Sequence, residues 1–132
     1  MPATHYIDNE AKLIITRWEG EATDTNFEEA LKIYLNHIRS DPNCFGYNEI
    51  VDIRKASPMN ITIKGLLTIG RIATDTEINE NNMRMALVVK SGLALSFSNL
   101  YIFYRNMGRG DRKKISVFVN EDEAYEWVTS IT

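Results

Sequence analysis

The chain has 132 residues, 44% of them hydrophobic and 25% charged, with a formal net charge of −3. A chain this long makes one domain that buries enough surface to need no metal or disulfide, so residues 1–132 read as a single domain. The acidic balance argues against a general nucleic-acid binder, and the one cysteine, Cys44, excludes an internal disulfide and a cysteine-based zinc cluster. No stretch has the length of a signal-peptide core or a membrane span, so the sequence reads as cytoplasmic, without a transmembrane segment.

In chain order, His5 to Asp8 and Lys12 to Glu19 read as two short strands separated by the turn residues Asp8-Asn9-Glu10. In the second strand Leu13, Ile15 and Arg17 face one way and Ile14, Thr16 and Trp18 the other. Apolar residues on both faces point to a strand covered on both sides or facing a partner. Gly20 is expected to end it. The segment DTNFEEALKIYLNHI places Phe27, Ala30, Leu31, Tyr34, Leu35 and Ile38 on one helical stripe. Thr25 with Glu28 three residues on fits a capping box, and Ser40-Asp41-Pro42-Asn43 stops the helix.

The stretch YNEIVDIRKASPMNIT, Tyr47 to Thr62, has the strand-loop-helix form that positions ligands in α/β proteins. Ile50, Val51 and Ile53 make a short strand ending near Asp52, a polar loop with Ser57-Pro58 follows, and a helix is expected from Thr62 to about Ala73. Ile63, Leu66, Leu67, Ile69 and Gly70 would face inward there, and Gly65 and Gly70 would allow close packing on the sheet. Asp75 to Asn82 reads as loop, Met83 to Val89 as a central strand, and Leu93 to about Asn106 as a third helix. That helix is apolar around most of its circumference: Phe97, Leu100, Tyr101 and Tyr104 share a stripe, and Ile102 and Phe103 add apolar surface elsewhere. These six residues are candidates for an interface or cavity lining. Lys114 to Val119 is the last strand. Asn120, with Glu123 three residues on, caps a C-terminal helix whose inward face is Ala124, Trp127 and Val128. The order ββαβαβαβα predicts an α/β fold: a mixed, mostly parallel five-stranded sheet with about four helices and an antiparallel first hairpin.

Asp52, Arg54, Ser57 and Thr62 are the candidate ligand or switch residues. For Asp52 the competing role is to accept N–H bonds of the following loop, for Thr62 to cap the helix it begins, and for Ser57 to be an ordinary loop serine. An enzyme would need Asp52 to converge with Arg54 or Arg71 in a pocket. Cys44 fits a small buried residue better than a nucleophile, and His5 and His37 lack metal-ligand spacing; no cofactor and no metal are expected. Arg105, Arg109, Arg112, Lys113 and Lys114 concentrate positive charge that suits a solvated helix end or an acidic partner.

Trp18 and Gly20 before the first helix, Asp52 at its strand end, the strand-turn-helix MRMALVVKSGLALSF and the ending VFVNEDEAYEWV together resemble the SpoIIAA-like group of STAS domains, the last two stretches looking most like its bacterial members. The resemblance covers nearly the whole chain and rests on pattern. It implies a STAS-like fold and a non-enzymatic regulatory or binding module that acts through protein partners, as a homodimer. The phosphorylated members of that group carry an Asp-Ser-Ser/Thr-Gly motif at the start of the helix. Here the stretch reads DIRKASPMNITIKG, so no phosphosite is carried over. The alternative is a small carrier or sensor of an apolar, lipid-like ligand in a cavity similar to that of Sec14-type domains.

Overall fold

The computed structural model describes residues 3–44, 46–62, 64, 65, 68, 83–93, 96 and 113–130. Five strands form one sheet in the order of the chain: β1 (Ala3–Asp8), β2 (Leu13–Thr23), β3 (Asn48–Asn60), β4 (Met83–Val88) and β5 (Lys113–Phe118). β1 runs antiparallel to β2, and every later neighbour is parallel. Among the described residues there are two α-helices, α1 (Asp24–Tyr34) and α2 (Glu121–Thr129). This is the mixed, mostly parallel α/β sheet that the pattern predicts.

The two-sided apolar pattern of β2 has a direct outcome. Successive side chains of a strand point to opposite faces. Ile14 packs with Tyr34 at the end of α1, and Trp18 with Phe27 and Ala30 of the same helix. Leu13 and Ile15 pack with Ala124 and Val128 of α2, together with Ile50, Ala86 and Val88. The sheet therefore lies between the two helices, and α2 covers β3, β4 and β5.

Three boundaries differ from the sequence reading. β2 does not end at Gly20 but runs to Thr23. Gly20 sits inside it at φ +97°, a conformation open to glycine, and its carbonyl accepts the Trp18 indole N–H at 3.2 Å. β3 does not stop near Asp52 either. It continues through Ser57-Pro58 to Asn60 alongside β2, and the expected polar loop is strand. Between Arg17↔Asp52 and Glu19↔Lys55, and again between Gly20↔Ala56 and Ala22↔Met59, β3 spends three residues where β2 spends two. Such bulges break the strict alternation that a sequence pattern relies on. The cap of α1 moves with its strand: Thr23 and Asn26 form a reciprocal capping box, in place of Thr25 and Glu28. The helix then passes into a π-helical turn, Leu35–Arg39, before Pro42–Cys44 forms a 3-10 turn.

Of the expected second helix, residues 64, 65 and 68 are helical; its other positions lie outside the described residues. Gly65 makes its closest approach to α1: a Cβ there would overlap the Asp24 carboxylate. Of the third helix, Ser91–Leu93 is a 3-10 turn and residue 96 is helical. Phe97, Leu100, Tyr101, Ile102, Phe103 and Tyr104 lie outside the described residues, as do Arg71, Arg105, Arg109 and Arg112. Among the described residues no helix is long and apolar enough to cross a membrane.

α2 is held at both ends. Asn120 accepts the Glu123 N–H at 3.1 Å, as the sequence predicts. Its C-terminal turn carries no basic residue of its own, and Arg84 of β4 supplies one, donating to the carbonyls of Trp127 (2.8 Å) and Ser130 (3.0 Å). A cation there complements the negative end of the helix. The same guanidinium lies 5.7 Å from the Trp127 ring centre, and Trp127 packs on Phe118. Asn48 of β3 completes the clamp, donating to the Val128 carbonyl at 2.7 Å and accepting the Arg84 N–H at 2.8 Å. Replacing Arg84 with Met is expected to cost about 1–2 kcal/mol, and Asn120→Ala about 1 kcal/mol. Urea unfolding followed by tryptophan fluorescence measures both; a loss within error for Arg84→Met would show that its bonds contribute nothing net.

Candidate functional site

The site lies within β3, level with the carboxyl end of β4, on the face that carries α2. Arg17 of β2 and Asp52 of β3 are paired in register, and Arg54 follows across the first bulge. Glu121 is the first residue of α2. Asp52 has only 9% of its side chain exposed, and both its oxygens are engaged by Arg54. Oδ1 accepts the Arg54 backbone N–H at 3.0 Å and the Nε–H at 2.9 Å, while Oδ2 accepts from Nη2 at 2.7 Å. This is a bidentate, charge-assisted pair, the strongest form a carboxylate and guanidinium adopt. Arg54 Nη2 also donates to Glu121 Oε2 at 3.1 Å, and Arg17 Nη2 donates to Glu121 Oε1. Two guanidiniums thus meet one carboxylate, and a second carboxylate steadies one of them.

The electrostatics follow from this geometry. Burial alone would push the Asp52 carboxyl up. The side-chain and backbone hydrogen bonds from Arg54, with the positive charges of Arg54 and Arg17, outweigh it and hold the group below the usual carboxylate range. Arg54 is stabilised as a cation chiefly by its hydrogen bond to Asp52. Asp52 is therefore ionised and fully engaged at neutral pH, a poor general base or nucleophile. Of the roles weighed for Asp52, the acceptance of a backbone N–H two residues on is present, within a strand in place of a loop.

Thr62 and Ser57 are not part of this cluster. Thr62 caps the helix it begins, accepting the Gly65 N–H at 2.9 Å. Its hydroxyl donates to Asp24 Oδ2 at 2.6 Å, and its N–H to Asp24 Oδ1 at 2.8 Å. The Thr62 hydroxyl and N–H hold the Asp24 carboxyl below its ordinary value. Ser57 is exposed within β3, before a cis Pro58. The charged residues that the sequence reading did not single out as site members are Glu121 and Arg17. Register places Arg17 beside Asp52, but Glu121 stands far along the chain, and its approach depends on how α2 crosses the sheet.

Comparison with protein-family models, with curated proteins and with solved structures finds no match for this chain. The reading of the site rests on its own geometry.

A second polar cluster lies on the α1 face. His5 Nδ1 is 2.8 Å from the Thr16 hydroxyl, the His5 ring lies 5.2 Å from that of Tyr34, and the Tyr34 hydroxyl donates to buried Glu49 at 2.7 Å. Cys44 is buried beside Tyr34 and Tyr47, and His37 is exposed. Among the described residues no group of three His, Cys, Asp or Glu side chains could hold a metal ion.

Arg54→Met leaves the Asp52 carboxylate buried without its counter-charge and is expected to destabilise the protein by about 2–3 kcal/mol, with partial recovery in the double variant Asp52→Asn/Arg54→Met. The Asp52 contribution has a definite pH sign. A carboxyl whose folded value is depressed stabilises the fold above its unfolded value and loses that contribution as pH falls through about 4 and below. Urea midpoints at pH 7 and pH 3 should therefore converge between wild type and Asp52→Asn; a gap that persists at pH 3 would show that charge is not the source.

His5 behaves in the opposite way. Burial lowers its affinity for a proton, against a smaller opposing effect of Glu49. The unfolded chain therefore binds a proton at His5 before the folded chain does. Stability is expected to fall as pH drops below about 6.5 and to level off once the folded form is protonated too. His5→Phe should flatten that part of the stability–pH curve; an unchanged slope would assign it to other groups.

Proposed function

We propose that the chain is a non-enzymatic binding module of the SpoIIAA-like, STAS-like kind, which acts through protein partners and self-associates. The observation that carries this reading is the state of Asp52. The carboxylate best placed for chemistry at the end of the sheet spends both oxygens on Arg54, within an ion-pair cluster that ties β2, β3 and α2 together. A group so engaged maintains a surface and is not free to move a proton or attack a substrate. The order of the strands, with one antiparallel edge hairpin followed by parallel neighbours, agrees with the resemblance. Tyr6 and Tyr125 are large side chains that remain well exposed, and tyrosine is a residue type on which protein interfaces concentrate binding energy.

Native mass spectrometry of gently purified protein tests the reading. A dimer mass with nothing attached is expected. Phe103→Glu, in the apolar segment that the sequence marks as an interface, should convert it to monomer. A monomer both before and after that change would overturn self-association, and an added apolar mass of a few hundred daltons would replace the module with a ligand carrier.

A further inference from the structure

We propose that Arg17 and Arg54 form a binding clamp for a dianionic phosphate group, and that Glu121 occupies this clamp as an internal stand-in for the ligand. The proposal is independent of how the module binds its protein partners. Three features of the cluster carry it. Two guanidiniums from neighbouring strands converge on the two oxygens of one carboxylate, as they would on two oxygens of a phosphate. The convergence is open to solvent: the side chains of Arg17, Arg54 and Glu121 are 46%, 37% and 31% exposed. Finally, Asp52 orients Arg54 through Nε and Nη2, and among the described residues Arg54 Nη1 engages nothing. The guanidinium is held in place by the buried carboxylate while part of its donor fork remains available.

The location agrees with the chemistry. β4 and β5 end level with Asp52, and ligands of open α/β sheets bind beyond the carboxyl ends of strands. Glu121 stands at the first position of a nine-residue helix, the end at which the helix dipole favours negative charge. The ligand class follows from competition. A tethered carboxylate presents itself at a high effective concentration, so a free monocarboxylate cannot displace it. A phosphate dianion, with twice the charge and three acceptor oxygens, gains more from two guanidiniums than a carboxylate does. Glu121 would then swing out to solvent, where its charge is readily hydrated.

The test follows the arginine Nε–Hε signals by NMR at pH 7.5, titrating inorganic phosphate at constant ionic strength. Phosphate should shift the Arg17 and Arg54 signals in the wild type. Glu121→Ala should bind about fivefold more tightly, which is what releasing one partly exposed ion pair is worth. Asp122→Asn removes the same charge from the same helix turn outside the clamp and should leave the midpoint unchanged. Arg17→Gln should abolish the response. Glu121→Gln serves as the second variant, since it keeps the shape of the side chain while weakening it as an acceptor. A tighter midpoint with glycerol 3-phosphate than with inorganic phosphate would assign the ligand as a monoester, and equal midpoints as free phosphate. Equal tightening in Glu121→Ala and Asp122→Asn would overturn the proposal. So would acetate or chloride shifting the signals as much as phosphate, or no shift in the Glu121 variants; the cluster would then be a structural latch only.

Discussion

β3 lies between β2 and β4 and is covered by a helix on each face, yet it carries Asn48, Glu49, Asp52 and Arg54. A polar group in such a position is costly unless it is hydrogen-bonded, and much of the structure is arranged to meet that demand. Asn48 binds the last turn of α2, Glu49 accepts from Tyr34 at the end of α1, and Asp52 takes Arg54, which reaches the first turn of α2. Among the described residues no buried side-chain polar atom lacks a partner. The polar residues of the central strand thus fix how each helix sits on the sheet, while the apolar clusters supply the bulk of the attraction without choosing its direction.

The same arrangement explains why the carboxyl end of the sheet is both rigid and charged. Asp52 is buried and orients Arg54. Arg54 is half in solvent and meets Glu121. Arg17 is the most accessible member, and Glu121 is slightly less exposed than Arg54. A site built in this way can hold a ligand geometry without the reorganisation that a flexible lysine or arginine would require. The Asp52–Arg54 pair ties β3 to α2 through Glu121, and Arg17 joins β2 to the same carboxylate.

The two strand extensions matter for the same region. Had β2 stopped at Gly20 and β3 near Asp52, Arg54 would lie on a loop and its side chain would be free to wander. Instead both strands continue past the site, and strand alternation buries Ile53 against Trp18 while Arg54 is bonded to Asp52 and Glu121 on the other side of the sheet. Thr23 can then cap α1 directly from the end of β2, and Asp24 meets Thr62 at the start of the next helical residues. Strand, cap and helix start form one continuous hydrogen-bonded path.

The sequence by itself determined the mixed, mostly parallel α/β sheet, the two-faced burial of β2, the Asn120 cap and the inward stripe of α2. Each depends on spacing within a few residues, and local spacing fixes which side chains share a face. It also singled out Asp52 and Arg54, two residues apart on one strand. The tertiary structure alone decided the rest. Ser57-Pro58 reads as a loop because proline and serine favour turns, but pairing with β2 holds that segment extended. Thr23 rather than Thr25 became the cap because the length of β2 sets where the helix can begin. Glu121 joined Arg17 across 104 residues because α2 packs on β3, β4 and β5 with its first residue within reach of the arginine side chains. Contacts of that kind depend on how whole elements pack, and no local pattern encodes them.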